Sequence, residues 1–172
     1  MKIFLLGLPG SGKSTLGKEL SKHLGVVFVD LDHEIEKAEQ VTIQEIFQKR
    51  KEDYFRRAEA TQLRNWCEGK IDFVMATGGG VPVFFDNLPL MNRSGKTIFL
   101  DVPANEISKR LKATNLSDRP LFEKVHPENL KDQIEFMRSQ RISFYRQAHL
   151  TFTGKAITSK EILDNLRKEI QT

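Results

Sequence analysis

A single cysteine, Cys67, stands in the chain, so no intrachain disulfide scaffold is available. The four histidines, His23, His33, His126 and His149, are too scattered for a Cys/His zinc site. Sparse cysteine of this kind predicts a reducing compartment. Charge of one sign is not in large excess either: 27 basic against 23 acidic residues leave +4. That surplus suits a small anionic ligand and falls short of the dense basic footprint of a nucleic-acid binder. Lys49, Arg50 and Lys51 form only a short basic run, expected to face solvent. Long hydrophobic runs are missing too. Residues 3–6 and 97–100 are short stretches, far below the roughly 18 residues of a membrane span. The first residues imitate a signal peptide, but Gly7, Pro9 and Gly10 break the apolar run and no small-residue cleavage site follows. A cytoplasmic protein without membrane or nucleic-acid partners is expected. Eleven glycines and six prolines are ordinary numbers that exclude collagen-like and low-complexity chains.

With 172 residues, 39% of them apolar, the chain suffices for one domain with a real core. Apolar runs alternate with amphipathic segments along its length. Strands are expected at 2–6, 26–30, 71–76, 97–101 and 149–153, apolar without strict alternation, as strands buried on both faces should be. Leu16, Leu20 and Leu24 mark one face of a first helix. Thr42 and Glu45 form a capping box opening a second helix, at 43–51. Further helices are expected at 52–68, at 103–113 with Pro103 in its first turn, at 127–147 and at 159–170, where Thr158 and Glu161 repeat the capping box. This alternation predicts an α/β fold with a parallel sheet covered on both faces. Residues 114–126, "TNLSDRPLFEKVH", are polar and contain a proline; they are expected to form a long surface loop of the kind that serves as a lid.

Residues 7–14, "GLPGSGKS", match G-x-x-x-x-G-K-[ST] between a predicted strand and a predicted helix. Gly10 and Gly12 let the backbone curl so that the N–H groups of the loop, Ser11 and Thr15 with it, point at phosphate oxygens. The helix starting near Lys13 adds its positive dipole end. Lys13 then bridges the outer phosphates, and Ser14 offers its hydroxyl to Mg²⁺. A chance glycine-rich turn would lack this flanking context. The loop names a nucleotide ligand, not a reaction.

Other signals are individually ambiguous. "VDLDHEIE" places Asp30 and Asp32 at a strand's carboxyl end, where parallel sheets hold ligands. Strand alternation would send one carboxylate to Mg²⁺, directly or through water, and the other to an acceptor hydroxyl; the bland alternative is a turn with Asp32 capping the next helix. Arg56 and Glu59, three apart on a helix, can bind a ligand or merely pair with each other. Gly78, Gly79 and Gly80 after the third strand permit close backbone approach to a ligand, or make a plain flexible loop. Arg119 in "DRPLF" can swing over a transferred phosphoryl group. Arg141 and Tyr145 share a helical face, which can equally be a solvated basic one.

Taken in order, "GLPGSGKST", "DLD", "TIQEIF", "E..FR..E", "GGG", "RPL" and "R....Y..A" resemble the shikimate kinase family, in the nucleoside-monophosphate-kinase-like group, over nearly the whole chain. The resemblance implies a P-loop three-layer α/β/α fold with a five-stranded parallel sheet and a mobile lid. It implies transfer of the ATP γ-phosphate to the 3-hydroxyl of shikimate, a step toward chorismate and aromatic amino acids, with one Mg²⁺ and ATP as co-substrate. Matching positions assigns Asp32 to the acceptor hydroxyl, Arg56 and Arg141 to the substrate carboxylate, and Gly79 with its neighbours Gly78 and Gly80 to the substrate. Arg119 falls to the ATP phosphates, Arg110 in "SKRL" to the adenine end, and Asp30 to Mg²⁺ through water. Two arginines suit a carboxylate because their planar guanidinium groups make charge-assisted contacts that lysines do not. Catalytic weight would fall on Lys13, Asp32 and Arg119, and a monomer is expected. The chain departs from the family pattern at Lys51, where Gly is usual before Glu52, at Phe122 in "RPLF" and at Thr77 before the glycines. The rivals are another small-molecule P-loop kinase of gluconate or nucleoside-monophosphate type, and a non-catalytic nucleotide-binding module. N-K-x-D and D-x-x-G, expected of a guanine-nucleotide switch, do not occur.

Overall fold

The computed structural model describes residues 1–114, 122 and 125–170. Most of the expected lid, Arg119 included, lies outside them. Strands β1 (Lys2–Leu6), β2 (Val27–Asp30), β3 (Phe73–Ala76), β4 (Lys96–Asp101) and β5 (Leu150–Thr153) form one parallel sheet in the order β2-β3-β1-β4-β5. The helices are α1 (Lys13–Leu24), α2 (Leu31–Glu39), α3 (Ile43–Glu68), α4 (Asn87–Ser94), α5 (Ala104–Lys112), α6 (Leu130–Tyr145) and α7 (Ser159–Ile170).

Strand alternation splits the core in two. Ile3, Leu5, Val74, Ile98 and Leu100 pack with Leu16 and Leu20 of α1 and Ile162 of α7. Phe4, Phe73, Met75 and Phe99 face the other way, toward residues of α3, α4, α5 and α6. The result is three layers, with the central strands apolar on both faces. The edge strands differ from that expectation: β2 and β5, at the two ends of the described sheet, are partly exposed. Among the described residues no helix is long and apolar enough to cross a membrane.

Two helices were not expected from the sequence. Helix α2 buries only Leu31 and Ile35, too few apolar positions for a visible period. Helix α4 carries Pro89, which a first turn tolerates because its N–H would have no intrahelical partner. Both expected capping boxes form. The expected helices at 43–51 and 52–68 run together as α3 across a kink at Lys51, whose φ of 65° and ψ of 173° belong to a region that side chains avoid. The usual glycine would adopt that conformation freely. Pro103 caps α5 from outside rather than sitting in its first turn, and a short 3-10 turn, Pro127–Asn129, precedes α6.

Candidate active site

The loop after β1 turns into α1 through Gly12, whose φ of 96° is natural to glycine. Its backbone bends around Lys13. The Lys13 ammonium donates to the carbonyls of Gly7 and Leu8, each at 2.8 Å, and lies 3.5 Å from the Ser11 hydroxyl. A cleft of about 660 Å³ opens over this loop. Gly10, Ser11, Gly12, Lys13, Ser14 and Thr15 form its floor. Asp30, Asp32, Gly78, Gly79 and Arg110 reach it from neighbouring elements. Ile157 and Thr158, just before α7, supply a wall that the sequence marked only as a helix start.

Arg110 lies beside the phosphate loop. Its Nε donates to Glu106 at 3.0 Å, Nη1 to the Gly10 carbonyl at 3.4 Å, and Nη2 to the Lys155 carbonyl.

The two aspartates take different positions, but not by strand alternation. Asp30 ends β2, and the Ser14 hydroxyl donates to its Oδ2 at 2.9 Å. The chain turns helical at Leu31, so Asp32 sits in the first turn of α2 and does not cap it. The Asp32 carboxyl is surrounded by protein while open to the cleft. Its desolvation, followed by the charge of Asp30, pushes its pKa up to about 6, against the opposing pull of Lys13.

Behind the cleft, Arg56 and Glu59 do pair, at 3.0 Å, with Glu59 fully buried. Arg56 also donates from Nη2 and Nε to Glu52, at 3.0 and 3.2 Å. A second N–H remains on each Nη. Burial pushes the Glu59 carboxyl above its usual range, with Arg56 pulling the other way. The three glycines after β3 are not a plain flexible loop, since charged groups press on each. A Cβ at Gly78 would meet Glu59 Oε1 at 2.8 Å, one at Gly79 would meet Arg141 Nη1 at 2.9 Å, and one at Gly80 would meet Arg56 Nη2 at 2.8 Å. Tyr145, buried on α6, donates its hydroxyl to the Gly79 carbonyl at 2.6 Å. Burial raises its pKa to about 12, with Arg141 pulling the other way. Thr77 holds the start of the loop by donating to the Leu5 carbonyl at 2.9 Å. Glu59 Oε1 and Arg141 Nη1 are buried without a hydrogen-bond partner among the described residues. Orphaned polar atoms are costly, and these two flank a glycine loop that opens onto a phosphate loop.

A parallel sheet, a curled loop with its lysine at the carboxyl end of β1, carboxylates where β2 passes into α2, and a glycine loop after β3 backed by arginines of α3 and α6 define a P-loop phosphotransferase with a small-molecule acceptor. A family model described as shikimate kinase matches residues 9–171. A shikimate kinase of Parabacteroides distasonis is 38% identical over 164 residues, covering 95% of this chain and 94% of the relative. Among solved structures, shikimate kinase from Bacteroides thetaiotaomicron superposes with a TM-score of 0.89 at 35% identity, covering 100% of this chain and 99% of that one. One from Acinetobacter baumannii in complex with shikimate gives 0.86 at 31% identity, covering 99% and 92%. The chain belongs to the shikimate kinase family and is an ATP-dependent shikimate-phosphorylating enzyme.

Proposed function

We propose that the 3-hydroxyl of shikimate attacks the γ-phosphorus of ATP in this cleft, with the residues above in distinct roles. The hydroxyl oxygen forms the new P–O bond while the bond to the β-phosphate oxygen breaks, releasing ADP. Asp32 orients that hydroxyl and takes its proton. Its raised pKa makes it a stronger base than an ordinary carboxylate, yet leaves it ionised at neutral pH. The loop N–H groups and Lys13 hold the phosphates and meet the charge that develops on them. Arg110 borders the nucleotide end. Arg119 acts on the ATP phosphates from the lid segment, a role supported by the sequence resemblance.

The side-by-side oxygens of Ser14 and Asp30 suit one Mg²⁺, a hard cation that keeps waters and shares phosphate oxygens. Among the described residues no cluster of three or more His, Cys, Asp or Glu could hold a metal by itself. When bound, Mg²⁺ neutralises phosphate charge and helps to align the phosphate chain.

Arg56, Arg141 and the glycine loop receive the acceptor. The observation that carries this reading is the convergence of two arginines on consecutive glycines, each arginine with donor capacity left over. Such donors fit a planar carboxylate. The decisive experiment is ADP formation by the purified chain with shikimate, compared with gluconate and nucleoside monophosphates. ADP release that depends on shikimate alone is expected. Equal rates with every acceptor, or none with shikimate, would overturn the assignment.

A further inference from the structure

Arg56 is held by more than its two glutamates. The segment after the glycine loop touches it twice: Gly80 lies against the guanidinium, and the Phe84 ring centroid stands 4.6 Å from its Cζ. Phe55, on α3 itself, is 5.1 Å away. Phe84 is thus the aromatic ring that a different segment brings to this cation. The segment is fixed at several points. Val83 N–H donates to the Gly80 carbonyl at 2.9 Å, and Asn87 N–H to the Phe84 carbonyl at 3.0 Å. The buried Asn87 side chain donates to the Val81 carbonyl at 3.0 Å. Phe85 and Asp86 both adopt left-handed backbone, with φ of 51° and 55°, and so turn the chain immediately after Phe84.

We propose that Phe84 is a positioning residue for substrate recognition: its ring covers the Arg56 guanidinium and keeps that plane oriented to meet the acceptor's carboxylate edge-on. The inference rests on the reading of Arg56 as a carboxylate clamp. Glu52 and Glu59 already occupy part of the guanidinium's in-plane edge. With the ring on its face, the guanidinium would keep its in-plane N–H groups as the route to the ligand. Guanidinium groups are weakly hydrated on their faces and stack well on aromatics, so the ring fixes the plane without competing for its donors. An aliphatic side chain of similar size would fill the space but supply no quadrupole.

The test compares Phe84→Leu and Phe84→Met, which remove the ring, with Phe84→Tyr, which keeps it. In the ring-less variants the KM for shikimate should rise about 3- to 30-fold, the span of an exposed to a desolvated cation–π contact. The KM for ATP and the kcat should change little, and Phe84→Tyr should recover most of the lost affinity. With a shikimate analogue whose carboxylate is replaced by a neutral group, the penalty should vanish. A shikimate KM unchanged in both ring-less variants would overturn the proposal. So would loss of affinity for ATP and shikimate together, or an equal loss in Phe84→Tyr. Wild-type enzyme without shikimate-dependent ADP release, or with Arg56→Lys kinetics equal to wild type, would instead overturn the reading beneath it.

Discussion

Asp32 stands where two demands conflict. Desolvation, and after it the charge of Asp30, makes the carboxylate more basic, which serves proton transfer, and the same surroundings oppose folding. Its folded pKa, about 6, exceeds its unfolded value of 3.8. The native state therefore binds the proton more readily, and this group's contribution to stability is best below the unfolded pKa and declines as pH rises through about 6. Asp32→Asn should accordingly raise stability near pH 7.5 by about 1 kcal/mol, after allowance for solvent screening. For a chain of this size that is about 2–4 °C in Tm. The same variant should lose about 10²–10⁴-fold in kcat. Wild-type kcat/KM should fall on acidification below about pH 6. A flat rate profile between about pH 5 and 8, together with a destabilised Asn variant, would contradict both halves. Lys13→Ala makes a cleaner deletion, since Lys13 lines the cleft rather than the apolar core. It should melt close to wild type and show no detectable transfer. At this scale the phosphate loop was legible because its chemistry is local to a few consecutive residues. The place of Asp32 was not: whether "DLD" continues a strand or starts a helix depends on Leu31, fully buried at the junction, a tertiary fact.

At the scale of elements, the capping boxes and leucine spacing located α1, the first half of α3, and α7, because caps and amphipathic faces are written within a few residues. Helices α2 and α4 escaped notice because each buries few apolar side chains and leans on neighbours. Lys51 was conspicuous in the sequence as a missing glycine, and the kink in α3 shows what that costs locally. A side chain in that backbone region is strained by about 1–3 kcal/mol, while glycine loses about 0.5–1 kcal/mol through greater freedom in the unfolded chain. Lys51→Gly should therefore stabilise the protein by about 1 kcal/mol, seen as a Tm higher by about 2–4 °C. Activity should stay near wild type, since Lys51 is exposed and precedes Glu52 on the far side of the junction. A lower Tm would mean that the kink is not what Lys51 resists.

On the scale of the whole molecule, the order β2-β3-β1-β4-β5 explains why motifs distant in sequence meet. Consecutive strands β1, β2 and β3 put the phosphate loop, Asp30 and the glycine loop at adjacent carboxyl ends, and α3 and α6 bring Arg56 and Arg141 behind them. The sequence order of the motifs pointed to this convergence through family resemblance, but no local pattern specified that Arg56 and Arg141 would approach neighbouring glycines. If they form one acceptor site separate from the phosphate loop, ligand-induced stabilisation should divide the same way. At about 100 times its Kd, a ligand adds about 2.7 kcal/mol, or about 5–10 °C in Tm. Shikimate and ATP with Mg²⁺ should each raise the Tm of wild type. Arg141→Ala should keep the nucleotide shift and lose most of the shikimate shift. Arg56→Ala should do the same from a lower starting Tm, because it takes from the buried Glu59 the cation that hydrogen-bonds it. That deficit should shrink on acidification, since burial already raises the Glu59 pKa and a protonated carboxyl needs no cation. Loss of the nucleotide shift in both variants would place the arginines on the phosphates instead, and an unchanged shikimate shift in both would separate them from the acceptor altogether.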